Sequence, residues 1–128
     1  MSLVPTVRCR RIETSIAFYT QLLDFEDVDE GDIEDPGLRV LRRHGDLLFL
    51  SSHRGDGVFG QAIAVLVDDV DEIVRKLLTR GLKVPEDRRS PVHEGPVDQT
   101  WGTREFYVDD LDGNTVRFIQ GLRAGQSP

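Results

Sequence analysis

Three histidines, one cysteine, a serine pair beside a histidine and one glutamate amid apolar residues are the groups in this 128-residue chain that could do chemistry. His44, His53 and His93 show neither HxH nor HxxxH spacing, which would bring two imidazoles to one ion, so they read as solvated loop residues. Ser51 and Ser52 precede His53, but successive strand residues point to opposite faces, and no GxSxG sequence is present to expose a nucleophile. Gly55-Asp56-Gly57 then reads as a flexible turn. Glu105 would act as a general base if buried in a cleft, and a salt bridge with Arg104 or Arg117 is the simpler expectation. Cys9 has no second cysteine to pair with and lies in an alternating apolar segment, where a buried, inert thiol is expected. Trp101 stands apart because it follows the polar run Asp98-Gln99-Thr100, where a core tryptophan is not expected. Its ring offers a large, stiff face for stacking on a planar ligand.

The net charge of −7, from 16 basic and 23 acidic residues, disfavours binding to a nucleic-acid backbone. It either draws in cationic small molecules or only keeps the chain soluble. Apolar residues make up 38%, enough for the core of one domain over 1–128, and no apolar run approaches the roughly 18 residues of a membrane span. Arg8, Arg10 and Arg11 interrupt the opening segment, so no signal peptide is read there and the cytoplasm is the default location.

The elements that must position these residues come as a repeat. Val4–Cys9 reads as a strand, followed by Ile12, Ile16, Tyr19, Leu22 and Leu23 at helical spacing; Ala62–Val67 is a second strand, followed by Val70, Ile73, Val74, Leu77 and Leu78. A shift of 58 superimposes Val4 on Ala62, Cys9 on Val67, Ile12 on Val70 and Ile16 on Val74. Asp68 and Asp69 offer N-cap chemistry to the second helix and Gly81 a stop, whereas the first helix has no clear acidic cap. Strands are expected at Phe25–Val28, Leu38–Arg42 and Leu47–Ser51 in the first half, with turns at Asp35-Pro36-Gly37 and His44-Gly45-Asp46. In the second half they are expected at Leu82–Val84, Thr103–Val108 and Thr115–Gln120, with a hairpin turn at Asp112-Gly113-Asn114 and a long loop over Asp87–Gly102. Residues 45–50 echo 113–118 at a shift of 68. The chain thus reads as α+β, βαβββ twice, with module 1 at about 4–52 and module 2 at about 61–120.

Val4-Pro5-Thr6-Val7, Ser15–Phe25 and Trp101–Val108 followed by Asp110-Leu111-Asp112-Gly113-Asn114 resemble the signatures of the vicinal-oxygen-chelate superfamily, the glyoxalases, bleomycin-resistance proteins and dioxygenases. The resemblance runs from Val4 to Gln120 and departs at Leu111, where the family usually has proline. It implies that each module curls its sheet into a half-barrel and that the halves form a cleft. Val7, Cys9, Leu48, Leu50, Ile63, Val65, Val67, Val116 and Phe118 would then face the helices, and the alternate set, with Thr103, Glu105 and Tyr107, would line the cleft. The family's enzymes hold a divalent metal at four positions that fall here on Val4, Phe49, Ala62 and Arg117. None of these can ligate a metal, so no metal and no cofactor are expected.

What the resemblance leaves is a metal-free cleft like that of the bleomycin-resistance proteins, which sequester a cationic drug between two subunits. The expected ligand-binding set is Trp101, Tyr107, Phe49, Ser51, Glu105, Arg117 and Phe59, with no catalytic residue. The chain departs from some drug binders at Ala64, where they carry a bulky aromatic. The leading expectation is a homodimer that binds a cationic or aromatic, bleomycin-like small molecule, without nucleic-acid or membrane partners. The rivals are an enzyme of the same superfamily (a lyase, dioxygenase or thiol transferase) and a regulatory domain with an empty cleft.

Overall fold

The computed structural model describes residues 3–28, 36–85 and 90–121. They form two compact units. The first takes the chain up to Gln61 together with Asp109–Asn114; the second takes Ala62–Val108 and the chain from Thr115 onward.

In the first unit, β1 (Thr6–Arg8) leads into α1 (Ile12–Ala17), followed by β2 (Glu26–Asp27), β3 (Leu38–Arg43) and β4 (Asp46–Ser51), and the sheet order is β1-β4-β3-β2. The second unit repeats this with β5 (Ala62–Val67), α2 (Val70–Thr79), a one-turn helix α3 (Pro91–Glu94), β6 (Val97–Asp98), β7 (Arg104–Asp109) and β8 (Thr115–Gln120), in the order β5-β8-β7-β6. Both sheets are mixed, with the first strand of each parallel to the last. The strand register carries the duplication to single residues. Thr6 opposite Phe49, Val7 opposite Leu50 and Arg8 opposite Ser51 become, under the two sequence shifts, Ala64 opposite Arg117, Val65 opposite Phe118 and Leu66 opposite Ile119, which are the observed pairs.

The two helices differ where their sequences differ. Asp69 is an N-cap whose carboxylate accepts a hydrogen bond from the Glu72 N–H at 3.2 Å, and at the other end Gly81 takes φ +97°, the left-handed conformation that closes a helix. The first helix starts at Arg11 without a side-chain cap, and after Ala17 it widens into a π-helical turn over Phe18–Leu22. That turn places the buried Tyr19 so that its hydroxyl donates to Asp110 at 2.8 Å. Burial and the Asp110 carboxylate push the Tyr19 phenol well above its ordinary ionisation range. Val7, Cys9, Leu41, Leu48 and Leu50 complete this core, and burial raises the Cys9 thiol as well.

Expectation and observation part in three places. Leu82–Val84 is not a strand; the fourth position of the second sheet is taken by Val97–Asp98, inside the segment read as a loop, where Asp98 pairs with Arg104. The same segment holds α3, announced by Ser90 at the N-cap and Pro91 in the first turn. On β5 the expected inward set, Ile63, Val65 and Val67, is only half-buried. Asp35, the first residue of the turn expected before β3, lies outside the described residues, as do residues 87–89 of the expected loop.

The turn 109–114 is held by one carboxylate. Asp110 Oδ1 accepts from the N–H groups of Asp112 and Asn114, both at 2.9 Å, while Asn114 Nδ2 donates to the Arg8 carbonyl at 2.8 Å. Leu111 is exposed, and the side chain of Asp110 supplies the rigidity that a proline there would give.

Candidate functional site

Four of the seven expected residues meet in the second unit, around Glu105. The positioning starts in the β6–β7 hairpin, where Val97 and Asp98 pair with Glu105 and Arg104. Gln99 N–H donates to the Thr103 carbonyl at 2.7 Å, and Gly102 completes the turn at φ +98°, a conformation that a side chain would strain. Trp101 therefore sits at the hairpin tip, four residues before Glu105. Arg104 clamps the hairpin from its other side, with Nε and Nη2 each donating to the Asp71 carboxylate at 3.0 Å and Nη1 donating to Asp98 at 3.1 Å. These bonds hold the Asp71 carboxyl below its ordinary range.

Glu105 is 1% exposed. Its Oε2 accepts from the Trp101 indole N–H at 3.1 Å and the Thr103 hydroxyl at 2.5 Å. Its Oε1 accepts from the Tyr107 hydroxyl at 2.7 Å and from Arg117 Nη2 at 3.3 Å. Burial alone would raise the Glu105 pKa, but the four donors outweigh it and hold the carboxyl below the usual glutamate value. Tyr107 moves the other way, raised first by burial and then by its bond to Glu105. The Arg117 guanidinium lies over the Tyr107 ring, 4.7 Å from its centroid, and the His93 ring meets the same phenol edge-on at 5.8 Å. Trp101, tied through its N–H, remains 45% exposed.

The other three residues lie in the first unit. Phe49, half-buried on β4, stands between Thr6 and Val40. Ser51 is fully buried, and its hydroxyl donates to Asp56 at 2.8 Å. Phe59 is 37% exposed and carries two guanidinium groups, Arg8 at 4.4 Å and Arg10 at 4.1 Å from its centroid. Gln61 secures that loop by donating to the Thr6 carbonyl at 2.7 Å and accepting from the Val58 N–H at 3.3 Å.

A family model described as the glyoxalase/bleomycin resistance protein/dioxygenase superfamily matches residues 3–118. The chain belongs to the glyoxalase/bleomycin resistance protein/dioxygenase superfamily. No curated protein matches it in sequence. Among solved structures it is similar to a bleomycin resistance determinant encoded on the transposon Tn5, at 25% identity and TM-score 0.73, over 94% of this chain and 97% of that one. It is equally similar to a bleomycin-binding protein complexed with bleomycin, at 25% identity and TM-score 0.73, over 95% and 99% of the two chains. A lactoylglutathione lyase from Agrobacterium tumefaciens shares the fold at 19% identity and TM-score 0.73, over 94% and 93%.

At Val4, Phe49, Ala62 and Arg117, where the sequence resemblance implies the metal ligands of the family's enzymes, the residues present do not fit an ion. Three are hydrocarbon side chains, and the fourth is a guanidinium bonded to Glu105. Among the described residues no group of three or more His, Cys, Asp or Glu is arranged to share a metal. Glu105 itself has both oxygens committed to donors, so a substrate proton would have to displace one of them.

Two participants lie outside the expected ligand-binding set. Thr103 lies on the face that strand parity assigns, yet its role appears only in its bond to Glu105. His93, read as a loop residue, is half-buried against Tyr107, with Nδ1 2.7 Å from Ser90 Oγ. The Ser90-Pro91 helix start was the available signal for it.

Proposed function

We propose that this superfamily member binds and sequesters a small cationic or aromatic molecule without transforming it, acting as a cytoplasmic homodimer of the bleomycin-resistance type. The observation that carries the reading is Trp101, an indole held by a charged carboxylate and left 45% exposed. Ordering a side chain before the ligand arrives lowers the entropy lost on binding. Stacking on such a ring contributes on the order of 1 kcal/mol beyond the area buried. The similarity to a protein complexed with bleomycin supports a drug-like ligand. Val4, Phe49, Ala62 and Arg117 support binding without metal chemistry.

Calorimetric titration with bleomycin, alongside elemental analysis of the purified protein, tests the reading. One molecule bound per protomer, with no stoichiometric metal, is expected. Turnover of a glutathione adduct of methylglyoxal, or near-stoichiometric zinc, nickel, manganese or iron, would overturn it in favour of a superfamily enzyme.

A further inference from the structure

In the first unit the loop between β4 and β5 closes around an arginine that has no acid. Arg8, half-buried at the end of β1, makes no ion pair and no side-chain hydrogen bond among the described residues, and its Nε is sealed from water without a partner. The acids beside it are taken. Asp56 accepts from the Ser51 hydroxyl at 2.8 Å, and Asp112 Oδ1 accepts from the Arg10 N–H at 3.1 Å and from Arg10 Nη1 at 2.9 Å. The loop meanwhile is fitted to Arg8 at several points. A Cβ on Gly57 (φ +72°) would come within 2.7 Å of Gln61 Oε1 and 3.6 Å of the Arg8 Cβ, so glycine alone passes this close. Gln61 Oε1 accepts from the Arg8 N–H at 3.4 Å, and the Gly60 N–H donates to Asn114 Oδ1 at 3.0 Å. These ties set the Phe59 ring against the Arg8 and Arg10 guanidinium groups.

We propose that this loop forms a binding site for a small organic acid, with a carboxylate or phosphate on Arg8 and Arg10 and a carbon skeleton against Phe59 and Val58. The site is independent of the sequestration reading, which is carried by Trp101. A guanidinium drawn partly out of water loses hydration that a π face replaces only in part, because its N–H groups still lack acceptors. Orphaned donors of this kind call for a partner. The planar fork of an arginine is completed by an anion with two oxygens side by side, which a carboxylate or a phosphate presents. Phe59 and the exposed Val58 leave apolar surface next to that fork, so an acid with an apolar body buries more than a bare inorganic ion. The net charge of −7 repels anions at long range, so the site selects an acid by contact.

The test is calorimetry on the full chain at pH 8 with four probes: benzoate, phenyl phosphate, acetate (charge without the apolar body) and benzyl alcohol (body without the charge). One or both of the aromatic acids should bind, one per chain, and the tighter of the two names the acidic group. Acetate and benzyl alcohol should bind about tenfold more weakly or not at all. Arg8→Gln should weaken the bound acid about tenfold, the worth of one charged hydrogen bond. Arg8→Lys keeps the charge and most of the stem but loses the fork, so it stands in if Arg8→Gln does not fold, and its affinity should fall severalfold. Lys83→Gln removes the same charge from an exposed position in the second unit and should leave affinity unchanged. Four results overturn the site: neither acid bound, unchanged affinity in the folded Arg8 variant, an equal loss in Lys83→Gln, or acetate or benzyl alcohol bound as tightly as the acids. Bleomycin titrated in parallel keeps the two readings apart. Bleomycin bound without either acid rejects this site alone, and an acid bound without bleomycin supports this site and rejects only a bleomycin-type ligand.

Discussion

Glu105 ties chemistry to pH through the sign of its shift. Its folded-state pKa lies below the ordinary value of about 4.3, so the carboxylate stabilises the folded protein fully above that value. The contribution is lost only as pH falls through the lower, folded pKa. Trp101 emission should therefore stay constant from neutral pH down through the ordinary glutamate range and change below it. A fluorescence transition centred above about pH 4.3 would contradict the four-donor arrangement. Trp101→Ala separates binding from folding at the same site. We expect bleomycin affinity to fall severalfold in a variant that still folds; a lower melting temperature with unchanged affinity would make the indole structural. Sequence alone reached part of this cluster. Period-two alternation put Thr103, Glu105 and Tyr107 on one face, and the polar run before Trp101 marked it as unusual. The expected salt bridge of Glu105 is found, to Arg117 rather than Arg104; that Thr103, Tyr107 and Trp101 donate to the same carboxylate was not legible, because the Trp101 bond depends on a hairpin closed by Gly102.

At the scale of elements, the sequence was most legible where local chemistry and register agree. Ala62–Val67 and Thr115–Gln120 occur with the expected bounds, and the two shifts reproduce the observed pairing residue by residue. Asp69 caps α2 as its position before Val70 suggests. Replacing it with alanine leaves the Glu72 N–H without its side-chain acceptor, and should cost about 1 kcal/mol of stability, read as a lower midpoint of urea unfolding. A change indistinguishable from zero would mean that water caps the helix equally well. The misplaced strand has a tertiary cause. Leu82–Val84 has the β-branched and apolar character of a strand, but the hairpin that closes on Arg104 and Glu105 selects Val97 and Asp98 as its partner. The Asp71–Arg104–Asp98 clamp then fastens that pairing to α2. Arg104→Lys would lose the bidentate hold, and is expected to loosen the hairpin and raise acrylamide quenching of Trp101.

For the whole molecule, an edge strand and the net charge carry the predictions. β5 lies at one edge of its sheet and reads Ala-Ile-Ala-Val-Leu-Val without a single charge, with Leu66 52% exposed. Natural edges of this composition are covered or they aggregate, and a second copy of the chain is the proposed cover. Light scattering at micromolar concentration should give the mass of two chains, and Leu66→Lys should shift it toward one. The charge prediction concerns rates. A net charge of −7 attracts cations over a distance that salt controls, since the screening length falls to about 8 Å at physiological ionic strength. Contact within the Glu105 cluster is short-range and balanced between Arg117 and Glu105, so salt should leave dissociation alone. Stopped-flow quenching of Trp101 can follow both steps. Raising salt should slow association of 9-aminoacridine, leave association of neutral acridine unchanged, and leave both dissociation rates within about twofold. If salt accelerates dissociation of the cation instead, an unbalanced acidic group touches the bound ligand, and charge belongs to recognition as well as to arrival.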